Sequence, residues 1–255
     1  MSLDEGSSYK SRIRQKIEEP SVESLIIHFL IRLLEERSLP TIAFTGGIAI
    51  GAYLGHLPRR LADIDLVILS KDFSALREIL HRYCFHTVCG PRSHIVSEFC
   101  SSDSFFDIDV HQDAIILANP PEWEALGRFD LTDALHRRQM LTLHAVSRRG
   151  TVTLPTVPIS YHFLMKLLPP IEPTNLHDIL YMILSPCWLP HTSADVGKLL
   201  LDERFIALKP LFSTRLFEYC NIFSSSIWHR SMSMTAQHAC EQTLRELSRI
   251  LPCGS

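Results

Sequence analysis

The stretch that most constrains the fold of this chain joins a glycine pair to two aspartates. Thr41 to Thr45 is a short β-prone run, and Gly46-Gly47 interrupts it before Ile48 to Leu54, a small-residue apolar segment typical of a helix packed on a sheet. Asp63 to Leu69 then predicts a second strand with a buried continuation. The ordered core should therefore start as strand, glycine turn, helix and strand, in the manner of a βαβ unit.

Asp63 and Asp65 are the first chemically informative pair. Residues i and i+2 of a strand project from the same face, so both carboxylates point together while Ile64 turns into the core. Two negative groups held side by side repel unless a cation lies between them. Paired glycines also let main-chain N–H groups approach phosphate oxygens. The pattern predicts a divalent cation, Mg²⁺ or Mn²⁺, beside a phosphate; the alternative is a pair of ordinary solvated aspartates.

A third carboxylate would complete a two-metal site of the kind that transfers phosphoryl groups. The β-prone run from Phe105 to His111 offers Asp107 and Asp109, which share a face. Asp109 is favoured because it lies deeper, between apolar residues, and Asp107 is the second choice. The alternative is that both are solubilising charges on an edge strand.

The rest of the chain predicts an α+β fold with a mixed sheet and a helical C-terminal region. We expect an N-terminal tail and helix over residues 1–40, a core over 41–155 and a helical region over 156–255. Within the core, helical spacing runs from Phe73 to Tyr83, and two β-prone runs flank the turn Ser147-Arg148-Arg149-Gly150.

Composition narrows the classes of function. The 255 residues are 46% hydrophobic, enough for a full core, and 25 basic against 28 acidic residues give no general attraction to nucleic acid or to an anionic membrane. Met1 to Pro20 contains no apolar run, so it does not read as a secretory signal, and no stretch resembles a membrane span. With seven scattered cysteines, the expectation is a cytoplasmic protein with reduced thiols.

The glycine and aspartate motifs resemble those of the nucleotidyltransferase superfamily that includes DNA polymerase β and the antibiotic nucleotidyltransferases. The match is closest to its AbiEii-like branch of toxins and uncharacterised bacterial enzymes, with its Gly-Gly-x-Ala-hydrophobic, arginine, Asp-hydrophobic-Asp order. This chain has Gly46-Gly47-Ile48-Ala49-Ile50, then Arg59 or Arg60, then Asp63-Ile64-Asp65. The resemblance implies Mg²⁺-dependent transfer of a nucleotidyl group from an NTP, such as ATP, to the hydroxyl of a small molecule, a protein or an RNA.

The same resemblance implies roles for two residues of the helical region. Lys166 would contact the nucleotide phosphates, with the glycine pair and one of the two arginines, and Asp178 would orient Lys166 or act as a base. A lone lysine in an apolar helix can also simply snorkel to the surface.

Two alternative functions stay open at this point. Leu61 stands where the branch usually has Ser or Thr, so the chain could be a non-catalytic binding or regulatory protein with the same fold. It could instead be a tRNA-modifying toxin paired with an antitoxin, although the slightly acidic charge balance leans away from an RNA partner.

Overall fold

A mixed β-sheet with helices on both faces is the frame of the protein. The computed structural model describes residues 22–61, 63–83, 85–89, 94–101, 104–116, 127–145, 150–225 and 233–251. Within these ranges the helices are α1 (Val22–Leu34), α2 (Gly46–Leu54), α3 (Phe73–Arg82), α4 (Thr132–His136), α5 (Ile159–Leu167), α6 (Pro173–Leu184), α7 (Thr192–Leu201), α8 (Lys209–Phe223) and α9 (Met234–Ile250). The strands are β1 (Ile42–Thr45), β2 (Asp63–Ile68), β3 (Phe85–Cys89), β4 (His94–Ser101), β5 (Ser104–Gln112), β6 (Ala114–Ile116), β7 (Arg128–Asp130), β8 (Gln139–Ala145) and β9 (Gly150–Thr156).

The main sheet has seven strands in the order β3-β4-β5-β2-β1-β9-β8. Strand β2 runs parallel to β5 and β1 runs parallel to β9, whereas β3-β4-β5 and β8-β9 are antiparallel. Strands β6 and β7 form a separate antiparallel pair. The predicted α+β fold, with a mixed sheet, flanking helices and a helical C-terminal region, is confirmed.

The predicted βαβ start was wrong in one respect, the direction of its strands. Strands β1 and β2 are antiparallel neighbours, with Thr45 opposite Asp65, so α2 is not the crossover of a parallel pair. A buried apolar run reads the same whichever way its neighbour points, so the pattern did not distinguish the two arrangements. Helix α2 also starts at Gly46 itself, and the glycine pair forms its first turn.

The two faces of the sheet are buried against different sets of helices. One face packs with α1 and α3 through alternate strand residues: Ile42, Phe44, Ile64, Leu66, Ile68, Ile108 and Val110. On the other face, Ala43 and Val67 pack into a core that contains residues of α5 to α9. Because side chains alternate along a strand, Asp63 and Asp65 share the face of Val67. The carboxylates therefore point to the side of the sheet that the C-terminal helices cover.

Helices α5 and α6 lie on this second face. Every residue of α5 except Lys166 is buried, and Lys166 is in the last turn, where a cation is stabilised by the helix dipole. Pro173 begins α6, a position where the missing N–H of proline costs nothing. No helix within the described ranges combines the length and the apolarity needed to cross a bilayer.

Most of the other predicted elements are present. The first predicted helix is α1, the helix from Phe73 is α3, and the β-prone run that contains Asp107 and Asp109 is β5. Strands β3, β6 and β7 were not predicted; β6 and β7 are three residues long, which is too short to show a period. The two strands of the predicted hairpin are confirmed as β8 and β9, but residues 146–149 of the hairpin turn lie outside the described residues. The predicted N-terminal tail also lies outside them. The division into three regions stays a prediction.

Candidate active site

Four aspartates stand in two rows on neighbouring strands. In the parallel register of β2 and β5, Asp63 pairs with Asp107 and Asp65 pairs with Asp109. Alternation along each strand puts all four on one face, while Ile64 is fully buried on the other. The structure thus brings together the carboxylates that the sequence motifs single out.

The protonation of Asp63 reflects this crowding. Burial, followed by the negative charges of Asp65 and Asp109, raises its pKa from 3.8 to about 6, and the cations Arg59 and Lys166 oppose the rise. Like charges that raise a carboxyl pKa are relieved when a cation binds between them. Asp109 therefore shares one electrostatic environment with Asp63 and Asp65.

The carboxylate of Asp65 packs directly against the backbone of Gly46. A Cβ at Gly46 would overlap the Oδ2 of Asp65 and lie 2.6 Å from its Cγ, and the backbone φ of Gly46 is +61°. On its other side, Oδ1 of Asp65 is 3.9 Å from Nε2 of His111. Burial acts to raise the pKa of Asp65, but His111 and Lys166 outweigh it, and the pKa lies below its ordinary value. Asp65 is therefore held as a carboxylate beside the start of α2.

Gly47 has the opposite kind of neighbour, a guanidinium group. A Cβ at Gly47 would lie 3.1 Å from Nη2 of Arg59 and 3.2 Å from Cδ2 of Leu61. Arg59 is 32% exposed and its Nε is 3.4 Å from Oδ1 of Asp178, whereas Arg60 is exposed. Of the two arginines that the motif left open, Arg59 is the one that lies at the glycine turn.

Asp178 joins this turn to the helical region. Its side chain is completely buried on α6, and its Oδ2 is 2.7 Å from Nζ of Lys166, whose side chain is 17% exposed. Asp178 therefore contacts two cations that come from different parts of the chain, Arg59 before β2 and Lys166 at the end of α5. Lys166 also acts on the pKa of Asp63 and Asp65, so the ion-paired cluster and the strand carboxylates share one electrostatic environment.

The donor set fits a hard divalent cation by its chemistry. In the part of the chain that the structure describes, no three His, Cys, Asp or Glu side chains form a ready-made metal cluster. Mg²⁺ seldom needs one, because it is usually held by one or two carboxylates together with waters and substrate phosphates. Asp63 and Asp65 at the glycine turn, with Asp109 beside them, suit that mode of binding.

Two histidines extend the site beyond the aspartate and lysine motifs. His111 follows Asp109 on the same face of β5 and lies beside Asp65. His162 is one turn before Lys166 on α5 and is 1% exposed. The sequence signal for His162 was its i, i+4 spacing from Lys166, which puts both on one side of the helix.

Comparisons with known proteins give only distant likenesses. No family model matches the chain, and no curated protein matches it. The solution structure of the antibiotic-resistance factor ANT(2'')-Ia is 16% identical, covers 84% of this chain and 100% of its own, and has a TM-score of 0.44. ANT(2'')-Ia in complex with adenylyl-2''-tobramycin is 18% identical over 76% of this chain and 97% of its own, with a TM-score of 0.40. An antigenic nucleotidyltransferase-like protein from Paracoccidioides brasiliensis is 15% identical, covers 75% of this chain and 91% of its own, and has a TM-score of 0.39. Likenesses of this size assign neither an activity nor a substrate to this chain.

Proposed function

We propose that the protein is a metal-dependent nucleotidyltransferase of the superfamily that its motifs resemble. The observation that carries the proposal is the meeting of two opposite charge systems at the Gly46-Gly47 turn. Asp65 lies against Gly46 and Arg59 lies against Gly47, and one buried aspartate, Asp178, pairs with both Arg59 and Lys166. A site that holds both a cation and a triphosphate needs these two systems next to each other.

The triphosphate would lie over the first turn of α2. A helix start presents unpaired backbone N–H groups and the positive end of the helix dipole, which together favour phosphate. Gly46 and Gly47 carry no side chain that would cover these groups, and the guanidinium of Arg59 lies against Gly47. Lys166, partly exposed at the end of α5, would supply the second positive charge.

Asp63, Asp65 and Asp109 would hold the metal, with Asp107 as the alternative third carboxylate. The chemistry that a bound Mg²⁺ or Mn²⁺ supplies at such a site is neutralisation of the charge on the phosphates and the attacking oxygen. Burial and, after it, repulsion from Asp65 and Asp109 raise the pKa of Asp63, and the repulsion supports these carboxylates as the place for a cation.

The proposed step is an in-line displacement at the α-phosphorus. The acceptor oxygen forms the new P–O bond, the bond from the α-phosphorus to the bridging oxygen of the β-phosphate breaks, and pyrophosphate leaves with that oxygen. The proton of the acceptor hydroxyl passes to solvent water. The protein residues contribute positioning and fixed charge rather than covalent chemistry. Asp178, with no exposed surface and two cationic partners, suits a role in holding Lys166 and Arg59 better than a role as a base.

Calorimetric titration of the wild type with ATP, GTP, CTP and UTP in Mg²⁺ tests the proposal. We expect at least one NTP to bind in the presence of Mg²⁺ and much more weakly in EDTA. Asp63→Asn combined with Asp65→Asn should weaken that binding at least about 100-fold, the scale of losing metal ligands. Asp195→Asn, which removes a carboxylate of an i, i+3 surface pair with Lys198, is the control and should bind as the wild type does. A wild type that binds no NTP with Mg²⁺ or Mn²⁺ contradicts the proposal.

One observation favours the rival proposal of a non-catalytic nucleotide-binding protein. Leu61, where the resembling branch usually has Ser or Thr, is buried and packs close to Gly47. Incubation with an α-phosphorus-labelled NTP and a cell extract separates the two. Transfer of label to an extract component, lost in Asp63→Asn, supports the enzyme; binding without transfer supports the rival.

A further inference from the structure

His162 on α5 is a buried imidazole that has no hydrogen-bond partner in the part of the chain that the structure describes. The residue is 1% exposed, and neither Nδ1 nor Nε2 meets a partner among the described residues. Its ring lies 5.6 Å from that of Tyr53, with the two planes tilted by 53°. An unpaired polar group in the interior costs free energy, so its presence beside a charged cluster calls for a physical explanation.

The cluster beside His162 is the pair formed by Lys166 and Asp178. His162 and Lys166 are i and i+4 on α5 and so lie on the same side of the helix. The charges of Lys166 and Asp178 both act on the pKa of His162. Asp178 Oδ2 is buried and is paired with the ammonium of Lys166, whose Nζ lies 2.7 Å away. The unpaired imidazole therefore lies on the side of α5 that carries Lys166, the residue whose ammonium pairs with the buried carboxylate of Asp178.

The imidazole is neutral near pH 7. Burial first, and the charge of Lys166 second, lower the pKa of His162 to about 3. A neutral imidazole offers one N–H donor and one acceptor nitrogen. It can therefore donate to a carboxylate without competing as a cation with Arg59 and Lys166 for the charge of Asp178.

We infer that His162 is a positioning residue that allows Lys166 to move between Asp178 and a bound nucleotide. The inference rests on the proposed nucleotide site. When the phosphates draw the ammonium of Lys166 away from Asp178, the imidazole N–H replaces it as the donor to Asp178 Oδ2. Asp178 then keeps a partner besides Arg59, and binding of the nucleotide does not leave a buried carboxylate oxygen unpaired.

The test compares His162→Phe, which has no donor, with His162→Gln, which keeps a neutral amide donor. Calorimetry with the NTP that the wild type binds, in Mg²⁺, should show a loss of affinity of about tenfold for His162→Phe, the size of one hydrogen bond to a charged group. His162→Gln should stay within about threefold of the wild type on the same scale. Thermal unfolding establishes that each variant is folded.

Each result supports or overturns the inference. Equal losses in both variants would indicate a purely structural role, and wild-type affinity in His162→Phe would show that no donor is needed. If His162→Phe does not fold, ¹⁵N NMR of the His162 imidazole provides the test. In the wild type, the chemical shifts of its ring nitrogens should change on saturation with the Mg²⁺–NTP complex. In Lys166→Met, the same addition should leave these shifts unchanged. Unchanged shifts in the nucleotide-bound wild type overturn the inference alone, whereas a wild type that binds no NTP overturns the proposed function with it.

Discussion

The two glycines of the turn differ in the charged group that each one accommodates. Gly46 leaves room for the carboxylate of Asp65, and Gly47 leaves room for the guanidinium of Arg59. Any side chain at either position would fill space that a charge now occupies. At the residue scale, the glycine pair therefore sets the spacing between the negative and the positive half of the site.

Gly46→Ala should disrupt the site itself. The new methyl group would displace the Asp65 carboxylate and would also sit at a φ of +61°. We expect a loss of about 2 kcal/mol or more in the free energy of unfolding. Affinity for the Mg²⁺–NTP complex should fall by at least about tenfold.

Gly55→Ala is the matched control for this change. Gly55 also has a positive φ, +77°, but the nearest atom to a Cβ there is 3.8 Å away. It should cost about 1 to 2 kcal/mol of backbone strain and leave nucleotide affinity unchanged. Urea unfolding and calorimetry measure both quantities, and equal nucleotide affinities for the two variants would contradict the account of Gly46.

Asp63→Asn should stabilise the metal-free protein in a pH-dependent way. The pKa of Asp63 is raised from 3.8 to about 6, so its charged form is disfavoured in the folded state. That cost is absent below pH 3.8, grows between the two values and is complete above about pH 6. Removing the charge should add about 1 to 2 kcal/mol to the free energy of unfolding at pH 8. Urea unfolding in EDTA at pH 8 and near pH 3.5 checks this, and an equal gain at both pH values would refute it.

At the scale of elements, Asp178 connects the segment before β2 to helix α5. Its buried carboxylate pairs with Arg59 from one side and Lys166 from the other. Removing one partner of a buried ion pair leaves charge uncompensated, which costs more than the pair itself contributes. The positions of the two cations should therefore depend on each other through α6.

Arg59→Gln and Arg60→Gln test this connection with two adjacent residues. Arg59→Gln should weaken nucleotide binding by about tenfold and destabilise the fold by about 1 to 3 kcal/mol. Arg60 is exposed, so Arg60→Gln should change stability by less than about 0.5 kcal/mol and leave binding intact. Calorimetry and thermal unfolding of both variants provide the comparison. A larger loss of nucleotide binding for Arg60→Gln than for Arg59→Gln would show that Arg60, and not Arg59, contacts the phosphates.

The sequence predicted elements better than their mutual arrangement. Period-2 spacing put Asp63 and Asp65 on one face, and helical spacing located α1 and α3, because these patterns are local. The antiparallel pairing of β1 with β2, the choice of Arg59 over Arg60 and the burial of His162 depend on contacts between distant segments. No local pattern in a single sequence reports such contacts.

At the scale of the whole molecule, the proposed site takes its residues from one face of the sheet and from the C-terminal helices. The sheet contributes the carboxylates of Asp63, Asp65 and Asp109, and the helices contribute Lys166 and Asp178. On the same face of the sheet, Ala43 and Val67 pack in the core that contains residues of α5 to α9. Packing of the two parts therefore also brings the proposed metal-binding carboxylates to the same side of the sheet as the proposed phosphate-binding lysine.

A crystal structure with a non-hydrolysable NTP and Mg²⁺ tests the central claim most directly. The account predicts phosphates over Gly46 and Gly47, within hydrogen-bonding distance of Arg59 and Lys166, and a cation on Asp63 and Asp65. Under the same account, the acceptor cavity is the space that adjoins the α-phosphate. A nucleotide bound away from the glycine turn, or phosphates with no cation between them and the strand carboxylates, would contradict it.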